Sequence, residues 1–151
     1  MDRECFVREI EKVSGTLYRV SYAILQNNED CRDAMQEAAL RAWEKRGSLR
    51  EPAHFGTWIT RILINESRNI QRKRRCLVCL DSIQEPAAEA PDPTLSMILQ
   101  AMPERLRLPL MLQYAEGMSY EQIAKVLRLP LSTVRGRIYR AKQHLRKELE
   151  A

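Results

Sequence analysis

The sequence predicts an all-α protein: two small helical domains joined by a flexible linker, the second of them a helix-turn-helix. Three observations carry that expectation. Apolar residues recur at helical spacing through the first 75 residues. Residues 76–96 hold four acidic and no basic side chains, together with Pro86, Pro91 and Pro93. That composition suits a tether rather than a packed core. Beyond it, a capped helix, a Pro-containing turn and a strongly basic helix follow in close order. The domain boundaries are therefore set at 1–75, 76–96 and 97–151.

In the first domain Phe6, Ile10, Val13, Leu17, Val20 and Ile24 step by fours and threes, one face of a helix over residues 3–26. Asn27-Asn28 breaks it. Asp30 is placed to cap a second helix, with Asp33 in its first turn, and that helix runs to about Lys45 before Gly47. Its apolar side is Ala34, Ala38 and Trp43, with Met35 and Leu40 beside them. Its other face shows Asp33, Gln36, Glu37 and Arg41. After a turn over residues 47–52, a third helix starts near Ala53 and buries Phe55, Trp58, Ile59, Ile62 and Leu63. Three helices around one core is the simplest packing.

The second domain opens at Pro103-Glu104 with Leu106, Leu110, Met111 and Tyr114 apolar. Pro109 kinks this helix or restarts it, and Gly117 stops it. Ser119 with Gln122 three residues on is a capping box for the next helix. Tyr120, Ile123, Ala124 and Leu127 face inward there. Arg128-Leu129-Pro130 makes a tight turn, and Ser132-Thr133 starts a last helix with Val134, Ile138, Ala141 and Leu145 on its core side.

The 151 residues are 44% hydrophobic and 30% charged, with a net charge of +5, the balance of a foldable chain rather than a disordered tail. No apolar run is long enough to span a bilayer. The start, Met1-Asp2-Arg3-Glu4, lacks the basic-then-apolar order of a signal peptide, so the chain is expected in the cytoplasm with its four cysteines reduced. No Ser-His-Asp, Cys-His or paired-carboxylate arrangement stands out, so neither enzymatic activity, cofactor nor small-molecule substrate is expected. Cys76-Leu77-Val78-Cys79 is a lone C-x-x-C, half of a zinc site. Linker cysteines without a metal are the preferred reading, with redox or zinc sensing the alternative.

The basic excess is clustered. Residues 61–75 hold Arg61, Arg68, Arg72, Lys73, Arg74 and Arg75 against the single acid Glu66. Such a cluster suits nucleic-acid phosphates and equally a solvated helix C-terminus. Asn65 and Asn69, a turn apart, carry amides able to read base edges or to cap. From Val134 to Lys147 there are six cations and no acid. A helix-turn-helix puts the front of its second helix into the major groove. Ser132, Thr133, Arg135 and Gly136 therefore lie where bases or adjacent phosphates are met, with Arg137, Arg140 and Lys142 along the same helix. A glycine inside a helix costs ~1 kcal/mol relative to alanine. Close backbone approach to DNA is a reason to tolerate Gly136.

Both halves resemble one family, the extracytoplasmic-function (ECF) group of sigma-70-type RNA polymerase sigma factors. Residues 30–43, from Asp30-Cys31-Arg32-Asp33 to Arg41-Ala42-Trp43, are similar to the family's region 2.2. His54-Phe55-Gly56-Thr57-Trp58-Ile59 through Arg75 is similar to regions 2.3 and 2.4. Leu106 to Lys147 resembles region 4, most specifically at Gly117-Met118-Ser119-Tyr120-Glu121-Gln122-Ile123-Ala124 and Thr133-Val134-Arg135-Gly136-Arg137. The chain departs from the pattern at Asn69, where the family often has Asp, at Ala39, where it has a large apolar residue, and at Pro109.

The resemblance implies roles. Asp33, Gln36, Glu37 and Arg41 would dock on the clamp helices of core RNA polymerase, an acidic and amide face for a basic partner. Ser48, Leu49, Arg50 and His54, with Asn65, would hold a base flipped from the −10 promoter element. Arg68, Asn69, Arg72, Lys73, Arg74 and Arg75 would follow the backbone of that element. Ser132, Thr133, Arg135, Gly136, Arg137, Arg140 and Lys142 would read the −35 element. The acidic linker would thread the polymerase towards its RNA exit. An anti-sigma factor, in the family often membrane-anchored, is a further expected partner. The competing reading is a stand-alone helix-turn-helix transcriptional regulator with a helical partner-binding domain.

Overall fold

The computed structural model describes residues 1–78 and 93–150. It divides into two units, Met1–Gln84 and Glu85–Ala151, and all of its regular structure among the described residues is helical. The first unit contains α1 (Arg3–Leu25), α2 (Asn28–Glu44) and α3 (Phe55–Val78), with single 3-10 turns at Arg46–Ser48 and Pro52–His54 between the last two. The second contains α4 (Pro93–Ala101), α5 (Glu104–Tyr114), α6 (Tyr120–Leu127) and α7 (Leu131–Glu150).

In the first unit each helix packs on the other two. α1 starts at Asp2, whose carboxylate accepts the N–H of Cys5 at 2.8 Å. It ends at Gln26, which takes a left-handed conformation (φ 53°) and donates its N–H to the Tyr22 carbonyl. The cap of α2 is Asn27, not Asp30 as expected. The Asn27 side chain accepts the N–H of Asp30 at 3.0 Å, which leaves the Asp30 carboxylate for another partner. The expected stripe of α1 faces the core, with Phe6, Leu17, Val20 and Ile24 buried. Alanines 34, 38 and 42 on α2 are fully buried, and their small side chains let the neighbouring helices approach closely. Leu40, expected beside that apolar side, lies outside it at 60% exposure. On α3, Phe55, Ile59, Leu63 and Ile64 close the core; Trp58 and Ile62 are half-buried. Phe6 meets Trp43 and Phe55 edge-on at 5.2 and 5.8 Å.

In the second unit α5, α6 and α7 pack together, with α4 against α7. Met102, Leu106, Leu110 and Ala141 form one core cluster, joined by Leu99 and Leu145. Ile123, Val134 and Ile138 are buried where α6 meets α7. α5 is continuous through the buried Pro109. The Tyr114 ring, expected on the apolar stripe, is exposed. The sequence reading did not anticipate α4, which occupies part of the stretch assigned to the linker, while α3 continues past residue 75. A buried cation explains how so short a helix is held. Arg107 donates to the carbonyls of Met102, Leu99 and Gln100 at 2.7, 3.3 and 3.4 Å. It thereby satisfies the open C-terminal end of α4 and complements its dipole. Burial lowers the Arg107 pKa, against the pull of Glu104, and the guanidinium remains a cation.

Candidate nucleic-acid interface

α2 and α3 lie side by side, and a groove of about 550 Å³ runs between them. One wall is Asp33, Gln36, Glu37 and Arg41; the other is Glu66, Asn69, Ile70, Arg72 and Lys73. The four α2 residues are at helical spacing and exposed, so the face expected to dock on polymerase is brought together. Arg41 is not free within it. Its Nε lies 2.5 Å from the Glu66 carboxylate, which is almost buried, and the pair ties α2 to α3 across the groove.

The residues expected at the −10 element divide into three groups. Asn69, Arg72 and Lys73 share the groove with the α2 face. Arg72 donates to the Asn69 side-chain oxygen at 3.0 Å and to the Arg68 carbonyl at 3.4 Å. Arg74 is directed elsewhere: its Nε sits 2.5 Å from Asp30. The Asp30 side chain is almost buried, and burial raises its pKa while Arg74 opposes the rise. Arg74 thus serves the fold before any phosphate. Asn65, Arg75 and the loop residues Ser48, Arg50 and His54 are exposed, and Leu49 and Arg68 are half-buried. Ser48 Oγ donates back to the Lys45 carbonyl at 2.7 Å, and His54 lies 3.8 Å from Glu51.

Sequence reasoning missed Arg46. Its guanidinium lies over the Trp43 ring, with Cζ 3.8 Å from the centroid, and Nη1 donates to the Trp43 carbonyl at 2.7 Å. Its place three residues after Trp43, just past the end of α2, was the available signal.

In the second unit the capping box at the start of α6 is present. Ser119 Oγ accepts the Gln122 N–H at 3.2 Å, and the Gln122 side chain accepts the Ser119 N–H at 2.9 Å. The turn depends on Arg128, left-handed at φ 55°, which lets Leu129 N–H close on the Ala124 carbonyl. Gly117, at φ 65°, turns the chain between α5 and α6. On α7 the buried residues are Val134, Ile138 and Ala141. Ser132, Arg135, Gly136 and Arg140 lie opposite, on one face, with Thr133 and Arg137 half-buried on its flank. Tyr139, 65% exposed, stands among these cations and was not anticipated. Lys142 follows two turns after Arg135 and is half-buried. Its ammonium sits 5.4 Å from the Tyr114 ring centroid, beside an apolar groove of about 400 Å³ lined by Leu95, Leu99, Met111 and Leu145 among others. A Cβ on Gly136 would meet only the far end of Arg140, at 3.2 Å.

Among the described residues no group of three His, Cys, Asp or Glu side chains could hold a metal ion. Cys76 is exposed at the end of α3, and Cys79 lies outside the described residues. Cys31 is buried, which raises its thiol pKa. No described helix is long and apolar enough to cross a membrane.

Residues 10–76 match the family model for sigma-70 region 2, and residues 94–145 match that for sigma-70 region 4. The RNA polymerase sigma-H factor of Pseudomonas aeruginosa is 29% identical, over 99% of this chain and 88% of its own. The ECF RNA polymerase sigma-E factor of Escherichia coli is 30% identical, over 76% of this chain and 71% of its own. The fold is also that of the sigma factor RpoE of Bartonella quintana, solved with the anti-sigma factor NepR: TM-score 0.85, 24% identity, 97% of both chains covered. CnrH, solved with the cytosolic domain of CnrY, gives a TM-score of 0.74 at 22% identity, over 99% of this chain and 90% of that one. The chain belongs to the ECF sigma factors of the sigma-70 family.

Proposed function

We propose that this chain binds core RNA polymerase through the α2 wall of the α2–α3 groove and recognises promoters with two separate surfaces. Asp33, Gln36 and Glu37 offer acceptors and negative charge to a basic helix of the polymerase. The loop from Ser48 to His54, with Asn65, receives an unpaired base of the −10 element. Arg68, Arg72, Lys73 and Arg75 neutralise phosphates there, where each contact releases counterions. The α7 face of Ser132, Arg135, Gly136 and Arg140 enters the major groove at the −35 element, with arginine able to read guanine at two points. Residues 1–75 would thus form the −10 and polymerase-binding domain, 97–151 the −35 domain, and the acidic stretch between them the tether. The chain supplies binding energy and specificity; the polymerase performs the chemistry. It acts in the cytoplasm, and an anti-sigma partner that covers these faces would silence it.

The observation that carries this reading is the α2–α3 groove, where four polar residues at helical spacing face solvent on a helix whose opposite side is fully buried. The competing regulator would use such a face for some other partner, so binding to core polymerase is what separates the two readings. Co-elution of the purified chain with core polymerase on size exclusion tests the point, followed by promoter DNA retention with and without core. Tight co-elution and core-dependent retention are expected. Operator-like binding by the chain alone, with no gain from core, would reject it.

A further inference from the structure

We propose that Arg46 is a stacking platform for an unpaired nucleobase, forming a Trp43–Arg46–base sandwich at the head of the loop. The inference rests on the role just proposed for that loop and adds a residue to it. Three features single Arg46 out. The indole of Trp43 supports its guanidinium from below, 3.8 Å from the ring centroid. The Trp43 carbonyl holds it along one edge, through Nη1 at 2.7 Å. Trp43 is itself braced edge-on by Phe6. The cation is therefore fixed in place while the residue remains exposed.

The neighbourhood leaves room for a base. Gly47 follows directly, and apart from its two chain neighbours no residue comes within 4 Å of where a Cβ on it would stand. Ser48 Oγ is turned away towards Lys45. A planar guanidinium pre-held on an aromatic ring presents a flat cationic surface, and bases stripped from a duplex stack on arginine planes and aromatic rings alike. Because Trp43 already orders the side chain, little rotamer freedom is left to lose when a base arrives. The bland alternative is that Arg46 only satisfies the carbonyls at the end of α2. A lysine would meet that need as well, and it would also meet a purely electrostatic contact with a phosphate. It has no plane on which a base can stack.

The test uses holoenzyme assembled from core polymerase and the full chain. Short duplexes with a central unpaired stretch of random sequence are selected for binding. The enriched sequence is then remade with a fluorescent adenine analogue in the unpaired stretch. Arg46→Ala and Arg46→Lys are both expected to bind it about tenfold more weakly than wild type and to lose the stacking-dependent quench. Helical content and core affinity should be unchanged. Wild-type affinity in Arg46→Ala overturns the proposal, as does recovery of affinity and quench in Arg46→Lys. If wild-type holoenzyme enriches no unpaired sequence, the −10 reading itself fails, and the stacking role falls with it.

Discussion

Arg74 and Asp30 join the end of α3 to the start of α2, Nε to carboxylate at 2.5 Å, with the acid almost buried and the base half-exposed. A cluster of cations that looks from the sequence like one phosphate-binding patch thus contains a structural member. Arg74→Ala leaves a buried carboxylate without its partner and should cost about 2 kcal/mol, below the full penalty for a buried pair because Arg74 is partly solvated. The sign with pH follows from burial, which raises the Asp30 pKa. The folded state binds that proton more tightly than the unfolded chain does, so Asp30 weakens the fold as pH rises above the usual carboxylate range. Removing Arg74 takes away the opposing influence. The loss in thermal midpoint should therefore be small in acid and grow towards neutral pH. A loss independent of pH would contradict the pairing.

Glu37 is exposed on the α2 wall and makes no contact that the core depends on. Glu37→Lys should leave the thermal midpoint nearly unchanged, as surface substitutions do. Affinity for core polymerase should fall at least about tenfold, because a like charge then faces the basic partner. Fluorescence titration of labelled chain with core measures it.

Arg135 and Arg137 are separated by the structure. Arg135 lies on the exposed face of α7, whereas Arg137 is half-buried on its flank. Arg135→Ala should weaken binding to −35 DNA by ~1–3 kcal/mol and relax preference at one base pair. Arg137→Ala should weaken all sequences by a similar, smaller factor. Competition binding against single-base variants distinguishes them.

Gly136→Ala should move stability and affinity in opposite directions. The methyl would meet only the flexible end of Arg140, so the helix should gain up to ~1 kcal/mol. If the backbone at Gly136 approaches the duplex closely, the same methyl weakens −35 binding. A higher thermal midpoint with undiminished affinity would remove Gly136 from the interface.

What the sequence made legible was whatever depends on spacing along one helix. The α1 stripe, the Ser119–Gln122 box and the α7 core face all follow from residues three or four apart. Pairings across the chain did not show. Asn27 and Asp30 are both able to cap α2, and what sends Asp30 to another task is Arg74, distant in sequence. The pair of Arg41 with Glu66 is hidden for the same reason. Leu40 stands two residues from both Ala38 and Ala42, on the side of α2 opposite that buried seam, so its apolar character misled where its spacing did not. α4 is too short to be stable alone and is held by Arg107 from the next helix, so its proline-flanked sequence resembled a tether.

The most direct measure of the central claim is transcription from fragmented genomic DNA of the source cell by core polymerase, with and without the purified chain, mapped at the 5′ ends of the transcripts. The account expects discrete start sites that appear only with the chain and share two spaced upstream elements. It expects them to vanish with Glu37→Lys and, separately, with Arg135→Ala. Start sites that are the same with and without the chain would contradict it.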